Sequence, residues 1–481
     1  MVCALLMPVI GVLAPAADAQ DVRGLLRELN TDGTVDGTEA SKSYKVIFDA
    51  YLDVAPPPEE ISAFFNLQTV HPASMNWTDL SSWAESHPTM REAILDCKRR
   101  QIFGLPYGTD NVASEYRSAR LFAEIAVDGD IRSSSYPWLD AMDVVALFGV
   151  AESYRLLESA QYAEAIDLMT GLQALLRQCS DRIFLEEKTH SIELLIGTLS
   201  VFRDMIYVYV DTIPTEQLTR IARFEIPLLV PGRRHLFMPE GDRIVAEALL
   251  RSLIDARDGP DPEKFAEAFA TIQSEDAPLT RFGAARRWKM IAEVHGSLEA
   301  SLERLNLIYD DWYRRWQVQE YDPILDVETQ FERTNPVRYS AVIFSMEDLR
   351  QCFDLRRRLI MEVNGTSVSA GLAAYRSYFG SYPDDVKKCY GQFLRGSIND
   401  VDPFDLDWAA FRYAEVTSDR GMTVDTDLGR LTIERGQGVL WSVGADHEDD
   451  RCEESTVTGV RGDVLIWPPY RALAREQNLV E

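Results

Sequence analysis

Between Gly444 and Glu454 the chain reads Gly-Ala-Asp-His-Glu-Asp-Asp-Arg-Cys-Glu-Glu, which puts six carboxylates within nine residues, offset by Arg451 alone. Carboxylates packed that densely repel one another unless water surrounds them or a cation sits among them. Oxygen-only donors on a loop favour a hard cation with six to eight ligands at about 2.3–2.6 Å, which is calcium rather than zinc. Composition alone leaves this near even odds, because charge runs usually lie in water. His447 and Cys452 stand five apart without the two further N or S donors that a zinc site needs. A second pattern, Glu187-Lys188-Thr189-His190, is the E-x-x-H half of a di-iron carboxylate bundle, but no second copy accompanies it. His190 therefore reads as a helix-surface or satisfied core residue. Acidic pairs such as Asp310-Asp311 and Asp384-Asp385 could serve a glycosidase as acid and base. With 77 acidic residues in the chain, chance pairs are abundant and a surface role is the better reading. The loop Asp32 to Gly37 opens like an EF-hand, yet its twelfth position is Ser43 where a bidentate Glu is needed, so it reads as a turn. No H-E-x-x-H, G-x-S-x-G, P-loop or G-x-G-x-x-G string occurs in a fitting context, and the chain reads as a non-enzyme.

The elements that must hold the acidic loop are short. Phe411 to Val416, Leu431 to Glu434, Val439 to Val443 and Val464 to Trp467 are runs rich in β-branched and aromatic residues, separated by turns with Gly and Asp. Four such strands make an antiparallel sheet, and the acidic loop follows the third of them. Val368, Leu372, Tyr375 and Phe379 lie on one helical stripe that Gly380 is placed to end. One helix on one small sheet is an α+β unit. Upstream, the apolar period is helical throughout. Tyr162, Ile166, Met169, Leu172 and Leu176 recur at steps of three and four, as do Ile192, Leu195, Leu199, Phe202 and Ile206. Further helices are expected at 243–257, 262–274, 282–312 and 345–363. The segment 21–60 mixes a short helical stretch with a Gly/Asp/Thr-rich loop and ends at Pro56-Pro57-Pro58, as a loosely packed entry would.

The expected fold class is therefore multidomain, an all-α helical domain followed by a small C-terminal α+β domain. Its parts are a leader at 1–19, a mixed, mostly helical segment at 20–136, the all-helical domain at 137–364 and the α+β domain at 365–481. The leader is expected because Met1 to Leu13 is almost wholly apolar and Ala17-Asp18-Ala19 supplies small residues before a cut, although no Lys or Arg precedes the run. That run is shorter than the ~20 residues a membrane span needs. The chain would then be extracytoplasmic, in the periplasm or secreted, and associated with the envelope. A net charge of −28 over 481 residues repels phosphate backbones and argues against nucleic acid as a partner. Five cysteines follow the leader, an odd number that leaves at least one unpaired.

The order Ala374-Tyr375, Tyr382-Pro383, Asp402-Pro403-Phe404, Leu440-Trp441-Ser442-Val443-Gly444-Ala445-Asp446 and Gly462-Asp463-Val464 resembles the periplasmic domain of the major pseudopilin of type II secretion systems. In that family a helix runs into a Tyr-Pro corner, an Asp-Pro turn leads into the sheet, and a calcium loop is closed by a later Asp. The resemblance covers about Thr366 to Pro468, a fifth of the chain. It implies Ca2+ held by Asp446 and Asp463, with Asp449 or Asp450 and the backbone carbonyls near Leu440 and Val443 as further ligands. The family's Phe-Thr-Leu-Ile-Glu start is absent, and Arg451 and Cys452 replace its usual small residues. The helical region is similar to that of bacterial envelope proteins of unknown role. What these resemblances imply is a structural or interaction role with protein partners of the cell envelope, beside a type II secretion apparatus. The competing expectation is an all-α extracytoplasmic hydrolase acting on glycans, with the last module as an appendage.

Overall fold

The computed structural model describes residues 19–58, 67–225, 236–272, 279–319, 322–395, 401–456 and 460–480. All but the last residue of the expected leader lies outside them. Among the described residues no helix is long and apolar enough to cross a membrane.

Among the described residues five α-helices come first: α1 (Ala19–Leu29), α2 (Tyr44–Leu52), α3 (Trp77–Glu85), α4 (Pro88–Cys97) and α5 (Ser114–Ser118), followed by a two-residue ladder of β1 (Glu124–Ile125) with β2 (Ser134–Ser135). This part is not the loose entry that its mixed composition suggests. Leu25, Leu29, Val35, Ile47 and Phe48 are buried in the main core, where Phe48 meets Phe103 and Tyr116 edge-on. Its loop at Asp32 is a turn closed by Asp32 Oδ1 accepting from the Thr34 N–H at 2.8 Å.

Three long helices follow as antiparallel neighbours: α6 (Trp138–Glu158), α7 (Tyr162–Cys179) and α8 (Leu185–Val208). The pair α6 and α7 is close because Gly149 has no side chain where Leu172 lies; a Cβ there would come within 2.7 Å of Leu172 Cδ2. Then come α9 (Thr215–Arg220), α10 (Gly241–Leu253), the ladder β3 (Ile254–Asp255) with β4 (Gly259–Pro260), α11 (Pro262–Phe269), α12 (Arg281–Val294), α13 (Leu298–Gln317) and α14 (Ser340–Ile343). The stretch expected as one helix over 282–312 is two, because His295 turns extended and Ser297 caps a new helix, its Oγ accepting from the Ala300 N–H at 3.3 Å.

The largest departure is α15, which runs unbroken over thirty residues, Arg350–Phe379, through the expected boundary at 364/365. Its middle, Asn364-Gly-Thr-Ser-Val-Ser-Ala-Gly, has two glycines, β-branched residues and no apolar stripe, so it shows no helical period. The reason lies in packing: Met361 through Ala374 is buried without a break, so no polar face is called for. Small residues let neighbours come close, with Gly365 against Ile466 and Gly371 against Leu394. Gly380, at φ +80°, ends the helix as its position suggests, its N–H reaching the Arg376 carbonyl at 2.8 Å.

The C-terminal strands form two sheets rather than one. In the first, β8 (Gly438–Ser442) lies between β5 (Arg412–Glu415) and β10 (Val464–Trp467), both antiparallel to it. In the second, β6 (Met422–Thr426) pairs antiparallel with β7 (Gly429–Ile433) and parallel with β9 (Glu454–Ser455). The expected run at 431–434 is thus half of a hairpin with β6, and the remaining chain ends in α16 (Tyr470–Glu476). Side chains alternate across the first sheet. Leu440, Val464 and Ile466 join the main core under α15, while Val439, Trp441 and Leu465 face a smaller core with Val424, Leu431 and Leu473. The architecture is a largely helical body followed by a small α+β part, and its main core runs from Leu25 to Trp467.

Candidate functional site

Register brings the two expected aspartates to one place. Val464 pairs with Ser442, so the residue before Val464 lies beside the point where the chain leaves β8 and enters the acidic loop. The loop and the strand entry then hold each other reciprocally. Asp446 Oδ2 accepts from the Gly462 N–H at 2.8 Å, and Asp463 Oδ2 accepts from the Cys452 N–H at 2.6 Å. Asp446 Oδ1 also accepts from the Glu448 N–H at 3.2 Å. The loop is tightly wound, with His447, Arg451 and Cys452 at φ of 62°, 58° and 57°, in the left-handed region that non-glycine residues seldom occupy.

Asp463 is fully buried and, among the described residues, its Oδ1 has no hydrogen-bond partner. Burial and the nearby charges of Asp449 and Asp450 push its carboxyl up to about 7, against the pull of the Cys452 N–H. Asp449 is differently placed. Its Oδ2 meets Arg412 Nε at 3.0 Å, and its Oδ1 accepts from Trp441 Nε1 at 3.1 Å and from the Arg451 N–H at 3.0 Å. Burial works against its charge, but these donors outweigh it and hold the carboxyl below its ordinary range. Asp450 is exposed on the loop, and Val443 sits at the end of β8. Leu440 lies inside β8 with Tyr413 of β5 and Trp467 of β10 on either side, so its carbonyl belongs to the sheet and not to the loop.

Asp402, in sequence only the first residue of an Asp-Pro turn, is the anchor of the site. It is fully buried; Oδ1 accepts from the Ser442 hydroxyl at 2.8 Å and the Phe404 N–H at 3.0 Å, and Oδ2 from the Val443 N–H at 2.9 Å. Burial raises its carboxyl pKa in spite of these donors. Asp405, two residues beyond the Asp-Pro pair, accepts from Arg412 Nη2 at 2.7 Å, and Arg412 thereby spans Asp405 and Asp449. His447 shares its Nδ1 proton with the Phe404 carbonyl at 2.6 Å, while the Cys452 thiol is buried and pushed up by desolvation. The Asp-Pro spacing before a β-rich run was the available signal for Asp402.

The other sequence candidates have structural partners. Glu187 is fully buried, pairs with Arg182 at 3.0 Å, and accepts from Tyr107 Oη at 2.7 Å and Trp138 Nε1 at 3.0 Å. His190, one turn on, meets Asp143 at 2.8 Å instead. Asp311 pairs with Arg315, and Asp384 with Lys388. Among the described residues Cys97, Cys179, Cys352, Cys389 and Cys452 are buried free thiols. Among the described residues no group of three or more His, Cys, Asp or Glu side chains is clustered as metal ligands. Compared with protein-family models, with curated proteins and with solved structures, the chain finds no match.

Proposed function

We propose that the chain is an exported, non-catalytic envelope protein whose C-terminal α+β part is a calcium-stabilised interaction module of the pseudopilin kind, working beside a type II secretion apparatus. The observation that carries the calcium reading is the buried Asp463, whose second oxygen lacks a donor next to a loop that brings in Asp446 and Asp450. A carboxylate in that position needs either a proton or a cation. All-oxygen donors on a wound loop suit Ca2+, with Asp463 and Asp446 as side-chain ligands and the Val443 carbonyl at the base of the loop. Asp449 is committed to Arg412 and Trp441, and Leu440 to the sheet, so neither belongs in the ligand set. Bound calcium stabilises whichever state binds it, here the closed loop that ties β8 to β10. Differential scanning calorimetry with calcium and with chelator tests this. The wild type gains several degrees with calcium, and Asp446→Ala and Asp463→Asn gain none; equal melting temperatures throughout would refute the metal reading.

One observation favours the hydrolase reading: an open cleft in the helical part carries the His190–Asp143 pair together with Glu193. Turnover of a peptidoglycan or polysaccharide substrate that disappears in His190→Ala would establish it.

A further inference from the structure

Where α8 and α15 meet the last strands and α16, the structure encloses a narrow cavity of about 20 Å³, walled in part by Arg203, Asp204, Arg358, Glu362, Tyr470 and Arg471. Three of these charges are neutralised in place. Arg203 pairs with Glu362 at 2.5 Å, and Asp204 pairs at 2.7 Å with Arg475, just behind. Arg358 and Arg471 make no ion pair within 4 Å among the described residues, although the charge of Arg471 also acts on Asp204. Among the described residues the Nε–H groups of Arg203, Arg358 and Arg471 are all buried without an acceptor, and Arg203 as a whole is 5% exposed. A buried donor left without an acceptor loses its hydration for nothing, and a buried charge left unpaired loses more. Three such guanidinium donors at one cavity, in a chain of net charge −28, are a site built for an anion.

Size and surroundings narrow the anion. A volume of about 20 Å³ admits one water-sized atom and not a whole phosphate. Gln68, Ile196 and Arg358 also line the open cleft of about 460 Å³ next to it, whose wall continues through the apolar Leu67 and Leu194. We infer that Arg358 and Arg471 form a carboxylate-binding site, which takes a small carboxylic acid with its carboxylate at the mouth of the cavity and its apolar body on the cleft wall. Guanidinium groups match carboxylate geometry through paired N–H donors, and the Leu67, Leu194 and Ile196 surface supplies contact that an inorganic anion cannot use. The inference does not rest on the calcium reading, although Ser455, Thr456 and Val464 of the cavity wall adjoin the acidic loop and Asp463.

Sodium butyrate and sodium benzoate are suitable probes, titrated against the full chain at constant ionic strength by thermal shift and calorimetry. The expected result is a saturable rise in melting temperature with either carboxylate, none with sodium chloride or butanol, and at least tenfold weaker binding in Arg358→Gln and in Arg471→Gln. Arg471 is on the partly exposed α16, so Arg471→Gln decides the matter if Arg358→Gln fails to fold. No saturable shift up to tens of millimolar, the same shift with chloride, or undiminished binding in the folded variants would overturn the proposal.

Discussion

Lys188 carries its ammonium group into the main core, fully buried, where Nζ donates to the Ser180 carbonyl. Burial pulls its pKa from 10.5 down to about 8. The folded state therefore binds this proton less tightly than the unfolded chain does. Its penalty is complete below about pH 8, and stability rises as the pH climbs from there toward 10.5. Nearby buried cysteines titrate in the opposite sense, so the informative quantity is the difference between wild type and Lys188→Met in urea unfolding. That difference is expected to change by up to one proton's worth across this window and to be flat below it. At the candidate site, Asp446 and Asp463 were legible through the motif order that resembles the pseudopilin domain, which sets one at a strand end and the other at a strand start. The role of Asp402 was not, since a single Asp before Pro looks like any turn; its role depends on Ser442 and Val443, forty residues away, reaching back to it. Asp449 was misleading for the converse reason: Arg412, on another strand, occupies it.

At the scale of elements, periodicity disclosed both halves of α15 and missed only the join between them. The stripes in α7 and α8 are carried by large aliphatic and aromatic residues at steps of three and four, whereas the centre of α15, enclosed by α8, α9 and β10, is built of small and polar residues that carry no such contrast. The β6–β7 hairpin was half seen because Met422 to Thr426 alternates polar and apolar residues too briefly to stand out, burying Val424 alone. The close approach of α15 to the sheet makes a specific expectation. A Cβ on Gly365 would lie 2.8 Å from Ile466 Cγ2, which overpacks the joint between helix and sheet, and Gly365→Ala should cost about 1–3 kcal/mol. Gly197 in α8 is the control, as its Cβ would meet Leu67 Cδ1 at an ordinary 3.5 Å. Gly197→Ala should be neutral or stabilise by up to about 1 kcal/mol through helix propensity. Denaturant midpoints of the two variants check both signs.

For the whole molecule, the expectation of separate domains meets a core that continues from the first helices, through α6 to α8, to α15 and the inner face of β8 and β10. A boundary at 364/365 would cut α15 in its most buried turn. A fragment comprising residues 365–481 is therefore expected to lose cooperative thermal unfolding, whereas one that kept a sharp transition by circular dichroism would show that the α+β part folds alone. The net charge of −28 acts over the same scale, and its self-repulsion is relieved by any bound cation. The central claim is that one such cation has a defined seat between Asp446 and Asp463. Titration of calcium into chelator-treated protein by isothermal calorimetry measures it directly. One saturable site in the wild type, abolished by Asp463→Asn, is the predicted outcome; binding that is absent, or that survives in this variant, contradicts the account.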